Sequence, residues 1–155
     1  MSWDIFLNAH HNGENHYFPL SIVLQAFGPA ITFKQINEHS CTLLMEYVNP
    51  DAEKYNICPV SDAEINQEII VVEDEIMIAG FCINRPPGHE DFWKSLYTVI
   101  RLAPAVLYWS AGEDEPCMAI GRAEMAHHLP QSMRDALGEP VLVGGYQDIL
   151  KLLKA

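Results

Sequence analysis

Apolar residues recur along this chain in two rhythms. Up to about residue 84 they come in short β-branched runs, and beyond it they fall on helical spacing interrupted by brief runs. The first rhythm predicts strands. Alternation from Trp3 to Leu7 gives a first strand, and the polar stretch 8–17, Asn-Ala-His-His-Asn-Gly-Glu-Asn-His-Tyr, reads as the loop behind it, with Asn12-Gly13 at its tip. Residues 18–28 predict a short helix, with Pro19 in its first turn and Gly28-Pro29 as its stop. Apolar runs at 31–36, 41–48, 55–60, 65–72 and 76–84 follow, divided by turn clusters such as Asn-Glu-His-Ser, Asn-Pro-Asp-Ala and Glu-Asp-Glu. That is the spacing of an antiparallel meander.

The second rhythm begins after Arg85-Pro86-Pro87-Gly88-His89, a breaker. From Glu90 to Leu102 the residues Phe92, Trp93, Leu96, Val99 and Ile100 share one helical stripe, and Pro104 ends the helix before Ala-Val-Leu-Tyr-Trp starts a strand. A strand at 76–84, this helix and a strand at 105–110 predict a right-handed β-α-β crossover with its two strands parallel in one sheet. A short strand near 117–120, helical segments around 122–137, a strand at 141–143 and a last helix at 146–154 complete the pattern. The prediction is a single α+β domain over 1–155, a mainly antiparallel sheet with helices packed largely on one side.

Charge changes the picture more than composition does. The formal net charge is -12, and residues 1–84 hold twelve Asp or Glu against only Lys34 and Lys54, whereas 85–155 hold nine against seven bases. A surface so biased repels nucleic acid and anionic membranes and attracts a basic protein or cations. No leader pattern opens the chain and no apolar run approaches the ~20 residues of a membrane span, so a cytoplasmic protein is expected. Cys41, Cys58, Cys82 and Cys117 lie far apart beside apolar residues and read as reduced, buried small hydrophobes.

Candidate chemistry starts with the histidines. His10, His11 and His16, with Glu14 nearby, suggest a metal site, but neighbours on an extended chain point to opposite faces, and a solvated loop explains the segment without an ion. His127 and His128 repeat the adjacency inside a predicted helix, with Glu124 one turn earlier, and read as a helix surface. Ser110 in Tyr-Trp-Ser-Ala-Gly lacks the first glycine of a nucleophile elbow. Gly144-Gly145 lacks the rest of a phosphate-binding fingerprint and reads as a turn. No cofactor is expected.

Two acidic turns remain. Glu73, Asp74 and Glu75 sit in a predicted hairpin, and Glu113, Asp114 and Glu115 follow a strand that ends in Tyr108 and Trp109. An aromatic anchor beside steering carboxylates is what a protein-binding surface uses, although core packing accounts for Trp109 equally well.

An acidic α+β chain of this length, without a catalytic signature, resembles the toxin-immunity proteins of bacteria. The segments Gly80-Phe-Cys-Ile-Asn-Arg-Pro86 and Phe92-Trp-Lys-Ser-Leu-Tyr97 are also similar to small uncharacterised bacterial proteins. The resemblance implies a non-enzymatic role, inhibition by covering the active site of a basic toxin partner. It brings no functional residues with it; the acidic turns and the aromatics beside them give the expected contact residues, Tyr108, Trp109, Glu113, Asp114, Glu115, Glu73, Asp74 and Glu75, with no metal. The alternative is a metal-binding protein or metal-dependent enzyme built on His10, His11 and His16 or on His127 and His128.

Overall fold

Alternation builds the first strand: β1 (Asp4–His11) buries Ile5, Leu7 and Ala9 and turns Phe6 and Asn8 to its other face. The computed structural model describes residues 3–154. Asn12 and Gly13, both at positive φ, fold β1 back onto β2 (Glu14–Asn15). Then come β3 (Phe18–Pro19), α1 (Leu20–Phe27) and a 3-10 turn at Gly28–Ala30. The middle of the chain supplies β4 (Ile31–Ile36), β5 (Ser40–Val48), the single-turn α2 (Ala52–Tyr55), β6 (Val60–Glu68), β7 (Ile70–Val72), β8 (Glu75–Ile78) and β9 (Gly80–Asn84). The remainder is α3 (Glu90–Leu102), β10 (Ala105–Trp109), β11 (Met118–Ile120), a 3-10 turn at Ala123–His127, α4 (Gln131–Leu137), β12 (Val141–Leu142) and α5 (Tyr146–Leu153).

The result is an α+β fold of mostly antiparallel open sheets. The largest runs β12-β11-β10-β1, with β9 on the other side of β1 and β2 at its end. Both β9 and β10 are antiparallel to β1 and therefore parallel to each other, so the expected β-α-β unit is present with β1 inserted between its strands. β4, β5 and β6 make the meander, and β3, β8 and β7 a third sheet.

Helices α1, α3 and α5 cover one face. Phe92, Trp93, Leu96, Val99 and Ile100 of α3 are all buried, in one core with Leu20, Val23 and Phe27 of α1 and Ile149 of α5. The α3 N-terminus is capped by His89, whose Nδ1 accepts from the Asp91 amide at 3.1 Å. On the opposite face, Met125 and Leu129 pack over Val106, Met118 and Ile120, with Met133 of α4 half-buried against them. Among the described residues, no helix lies over the outer faces of β9 and of β4–β6 in either hydrophobic cluster. Among the described residues no helix is long and apolar enough to cross a membrane.

Several predicted elements differ. His10 and His11 end β1 rather than lying in a loop. The predicted strand 55–60 is instead the end of α2 and an irregular loop, because Asn56 turns left-handed at φ 52 and Pro59 has no amide to give a ladder. The run 65–72 divides at Ile69: its amide makes the last bond of the β5–β6 register, to His39 O, and from Ile70 the chain pairs with β8 instead. The run 76–84 divides at Gly80, where the chain passes from the third sheet to the first. A Cβ there would collide with the Leu7 carbonyl oxygen. The helical segments expected around 122–137 are a 3-10 turn and α4, separated at His128–Pro130.

Candidate functional site

Alternation along β10 decides which aromatic is available. Ala105, Leu107 and Trp109 point into the core, and Trp109 is only 4% exposed. Trp109 is therefore a core residue, and its ring cannot serve as the surface anchor expected beside the acidic loop. Tyr108 points outward, half-buried, with its ring stacked on Phe6 at 5.2 Å between centroids. Its hydroxyl donates to Asn8 Oδ1 at 2.6 Å, and burial raises its pKa, so the phenol stays protonated.

Behind β10 the loop closes into a turn: Glu115 N donates to Gly112 O at 3.0 Å, and Glu115 Oε2 accepts from Gly112 N at 3.0 Å. Glu115 is thus tied down, while Glu113 and Asp114 stand exposed at the tip. Phe6, Tyr108, these three carboxylates and Glu139 line a groove of about 750 Å³ with no Lys or Arg among the described residues of its wall. Arg134 approaches Glu139 from outside it at 3.9 Å.

Glu73, Asp74 and Glu75 lie elsewhere, at the tip of the β7–β8 hairpin, where Glu73 and Asp74 take φ of 51° and 66°. No cavity, hydrogen bond or ion pair among the described residues joins the two clusters.

A larger acidic surface escaped the sequence reading. On β6 the outward residues are Asp62, Glu64, Asn66 and Glu68, and the β5 register places Glu46 directly opposite Asp62. Like charges facing across strands oppose folding. None of the four carboxylates is in an ion pair among the described residues; Glu46 accepts only from Thr32 Oγ1, at 2.7 Å. The outer faces of β6 and β9 meet along a shallow cavity lined by Asp62, Glu64, Asn66, Cys82 and Asn84. Cys82 is in turn opposite Phe6, and Asp4 opposite Asn84, so one open surface runs from Glu46 to the Phe6–Tyr108 pair. The signal was available in Val60-Ser-Asp-Ala-Glu-Ile-Asn-Gln-Glu68, which repeats polar or acidic residues at every second position.

The structure mixes the two histidine groups. His11 lies 5.3 Å from His16 and 4.7 Å from His128 between ring centroids, the second pair stacked, while His127 stays exposed. His128 Nδ1 accepts from Asn12 N at 3.1 Å, and His128 O accepts from Gly13 N at 2.9 Å, so these contacts pin the β1–β2 hairpin. Glu124 pairs with Arg122 at 3.6 Å rather than with a histidine. His10 points away, buried, with its Nδ1 unpartnered among the described residues and its pKa lowered by desolvation. Among the described residues no three His, Cys, Asp or Glu side chains are grouped as one metal ion requires.

At Gly144-Gly145, Asp148 Oδ2 already accepts from Gly144 N at 2.9 Å, which places a carboxylate where an anion would bind. Burial pushes the thiols of Cys41, Cys82 and Cys117 up, away from the thiolate a nucleophile needs. Cys58 is exposed and Cys82 only half-buried, contrary to the expectation that all four are buried. Compared with known proteins, the chain matches no family model, and no curated protein or solved structure matches it significantly.

Proposed function

We propose that this chain is a non-enzymatic, acidic module that docks on a basic protein, in the manner of an immunity protein covering the active site of a toxin domain. The observation that carries the proposal is the open sheet surface. Glu46, Asp62, Glu64 and Glu68 stand on it without an ion pair among the described residues, and it continues to the Phe6–Tyr108 pair beside the groove. Carboxylates held opposite one another cost stability that a cationic partner would return. The aromatic pair offers a half-buried face for an arginine or lysine, and the carboxylates around it steer the encounter. The tied-down Glu115 fixes the groove's rim, so little ordering remains for binding to oppose. The likeness to immunity proteins gives the specific form, occlusion, and the cytoplasm of a bacterium as the place of action.

The test is recovery of the stoichiometric partner from the cells that make the protein, followed by stopped-flow association. A basic partner is expected, with an on-rate above the ~10⁵–10⁶ M⁻¹s⁻¹ of unsteered docking that falls steeply with salt. The triple change Glu46→Gln, Asp62→Asn and Glu64→Gln should lower that rate at least several-fold. A neutral or acidic partner, or an on-rate indifferent to salt and to the triple change, overturns the proposal. If the partner is an enzyme whose activity survives one equivalent of this protein, occlusion is wrong and plain docking remains.

A further inference from the structure

The loop between β5 and β6 is built the wrong way round for a folding element. Val48 and Val60 pair across its neck, and its backbone is closed from within: Asn49 N donates to Pro59 O at 2.8 Å, Ile57 N to Ala52 O at 3.0 Å, and Asn49 Nδ2 to Cys58 O at 2.7 Å. Such a compact loop with its ends together is a common carrier of function. Its apolar side chains point outward. Val48 is 70% exposed, Tyr55 62%, Ile57 52% and Val60 45%, and between 51 and 60 only Ala52 is buried.

Folding accounts for none of this. The same residues made 55–60 look like a core strand, and a stretch whose local pattern contradicts its place in the structure marks a site held for another purpose. Contiguous exposed apolar residues rimmed by polar ones mark interaction surfaces. Here the rim is mainly acidic: Asp51 and Glu53 lie within the loop, and Glu46 and Asp62 stand one outward position along the strands from Val48 and Val60, against one base, Lys54, whose Nζ lies 5.3 Å from the centre of the Tyr55 ring.

We infer that this loop is a plug, inserted by its Val48, Tyr55, Ile57 and Val60 side chains into an apolar cleft of a protein partner whose rim is basic. The inference rests on the docking proposal for the partner's charge, and adds what enters it. Charge decides the occupant. A second copy would set acidic rim against acidic rim, and an anionic bilayer would be repelled, whereas a cleft edged with lysine or arginine satisfies both halves of the surface. The continuity of Val48–Val60 with Glu46–Asp62 lets the plug and the open sheet surface engage together.

The test is NMR on the full chain labelled with ¹⁵N. The probe is a short amphipathic peptide of leucine and lysine, with the same peptide carrying glutamate for lysine as control, and phosphatidylcholine vesicles as a third arm. The lysine peptide should shift the amides of residues 48–60 first. The pair Tyr55→Ser and Ile57→Asn should weaken its binding at least tenfold while leaving the rest of the spectrum, and so the fold, unchanged. Shifts confined to 113–115 or 73–75, or equal affinity in the variant, overturn the plug. Self-association abolished by the same variant, or uptake by vesicles through the same residues, also overturns it by naming a different occupant. If the glutamate peptide binds the loop as well as the lysine peptide, the loop takes apolar ligands without regard to charge, and it is the docking proposal's basic partner that fails.

Discussion

His10 and Tyr47 show how much two buried polar atoms can reveal. The His10 imidazole has an unpartnered Nδ1 and a pKa lowered by desolvation, so the native state resists protonation that the unfolded chain accepts below about 6.5. Stability should therefore be full above that value and fall as pH drops from there through the depressed native pKa. Urea unfolding at pH 7.5 and 5.5 checks this, and His10→Gln should remove that part of the difference; an unchanged pH slope in the variant means His10 is not its source. Tyr47 has a buried hydroxyl without a partner among the described residues, and its ring meets Phe92 edge-on at 6.0 Å. An unpaired buried hydroxyl costs roughly 1–3 kcal/mol, so Tyr47→Phe should leave stability unchanged or raise it, whereas Tyr47→Ala should lose about 3–5 kcal/mol. A loss above ~1 kcal/mol in the phenylalanine variant would reveal an ordered partner for the hydroxyl.

Among the elements, α3 was the most legible, and β8–β9 the least. Five apolar residues at helical spacing, acidic residues in the first turn and Pro104 behind its end leave α3 no other structure. Leu96→Ala should accordingly cost about 2–5 kcal/mol, readable as a lowered denaturant midpoint. The apolar run 76–84 carries no mark of which sheet each half joins, and the break was readable only at Gly80, the position where the chain changes sheets. Gly80→Ala should prevent folding or cost more than ~3 kcal/mol, since both its φ of +157° and the closeness of Leu7 O exclude a Cβ. For the candidate site, the sequence placed acidity in turns because turns are where charges cluster along the chain. The sheet surface needed cross-strand register: nothing in the sequence aligns Glu46 with Asp62, which only the β5–β6 pairing does. Likewise, alternation along Ala105–Trp109 does not say which of Tyr108 and Trp109 faces the core until β1 is paired beside them.

The whole molecule sets its core against its charge. A core drawn from all three sheets tolerates a surface whose carboxylates repel one another, and a net charge of -12 adds a general repulsion that salt screens. Relieving the pair that the β5–β6 register sets face to face tests whether that repulsion is held against folding. Glu46→Gln with Asp62→Asn removes two facing charges and keeps both side-chain shapes, and Thr32 Oγ1 can still donate to the amide oxygen that then replaces the Glu46 carboxylate. Calorimetry at low salt should show the double variant more stable than the native chain by about 0.5–1 kcal/mol, a rise of a few degrees in Tm. At 0.5 M NaCl the difference should shrink, because the native pair is then screened. A gain in stability paired with slower association would be the trade expected of a binding surface, since residues kept for a partner are often not those that fold best. If the variant is no more stable at low salt, the two carboxylates do not repel appreciably, and the acidic sheet surface loses its claim to be held in readiness for a cationic partner.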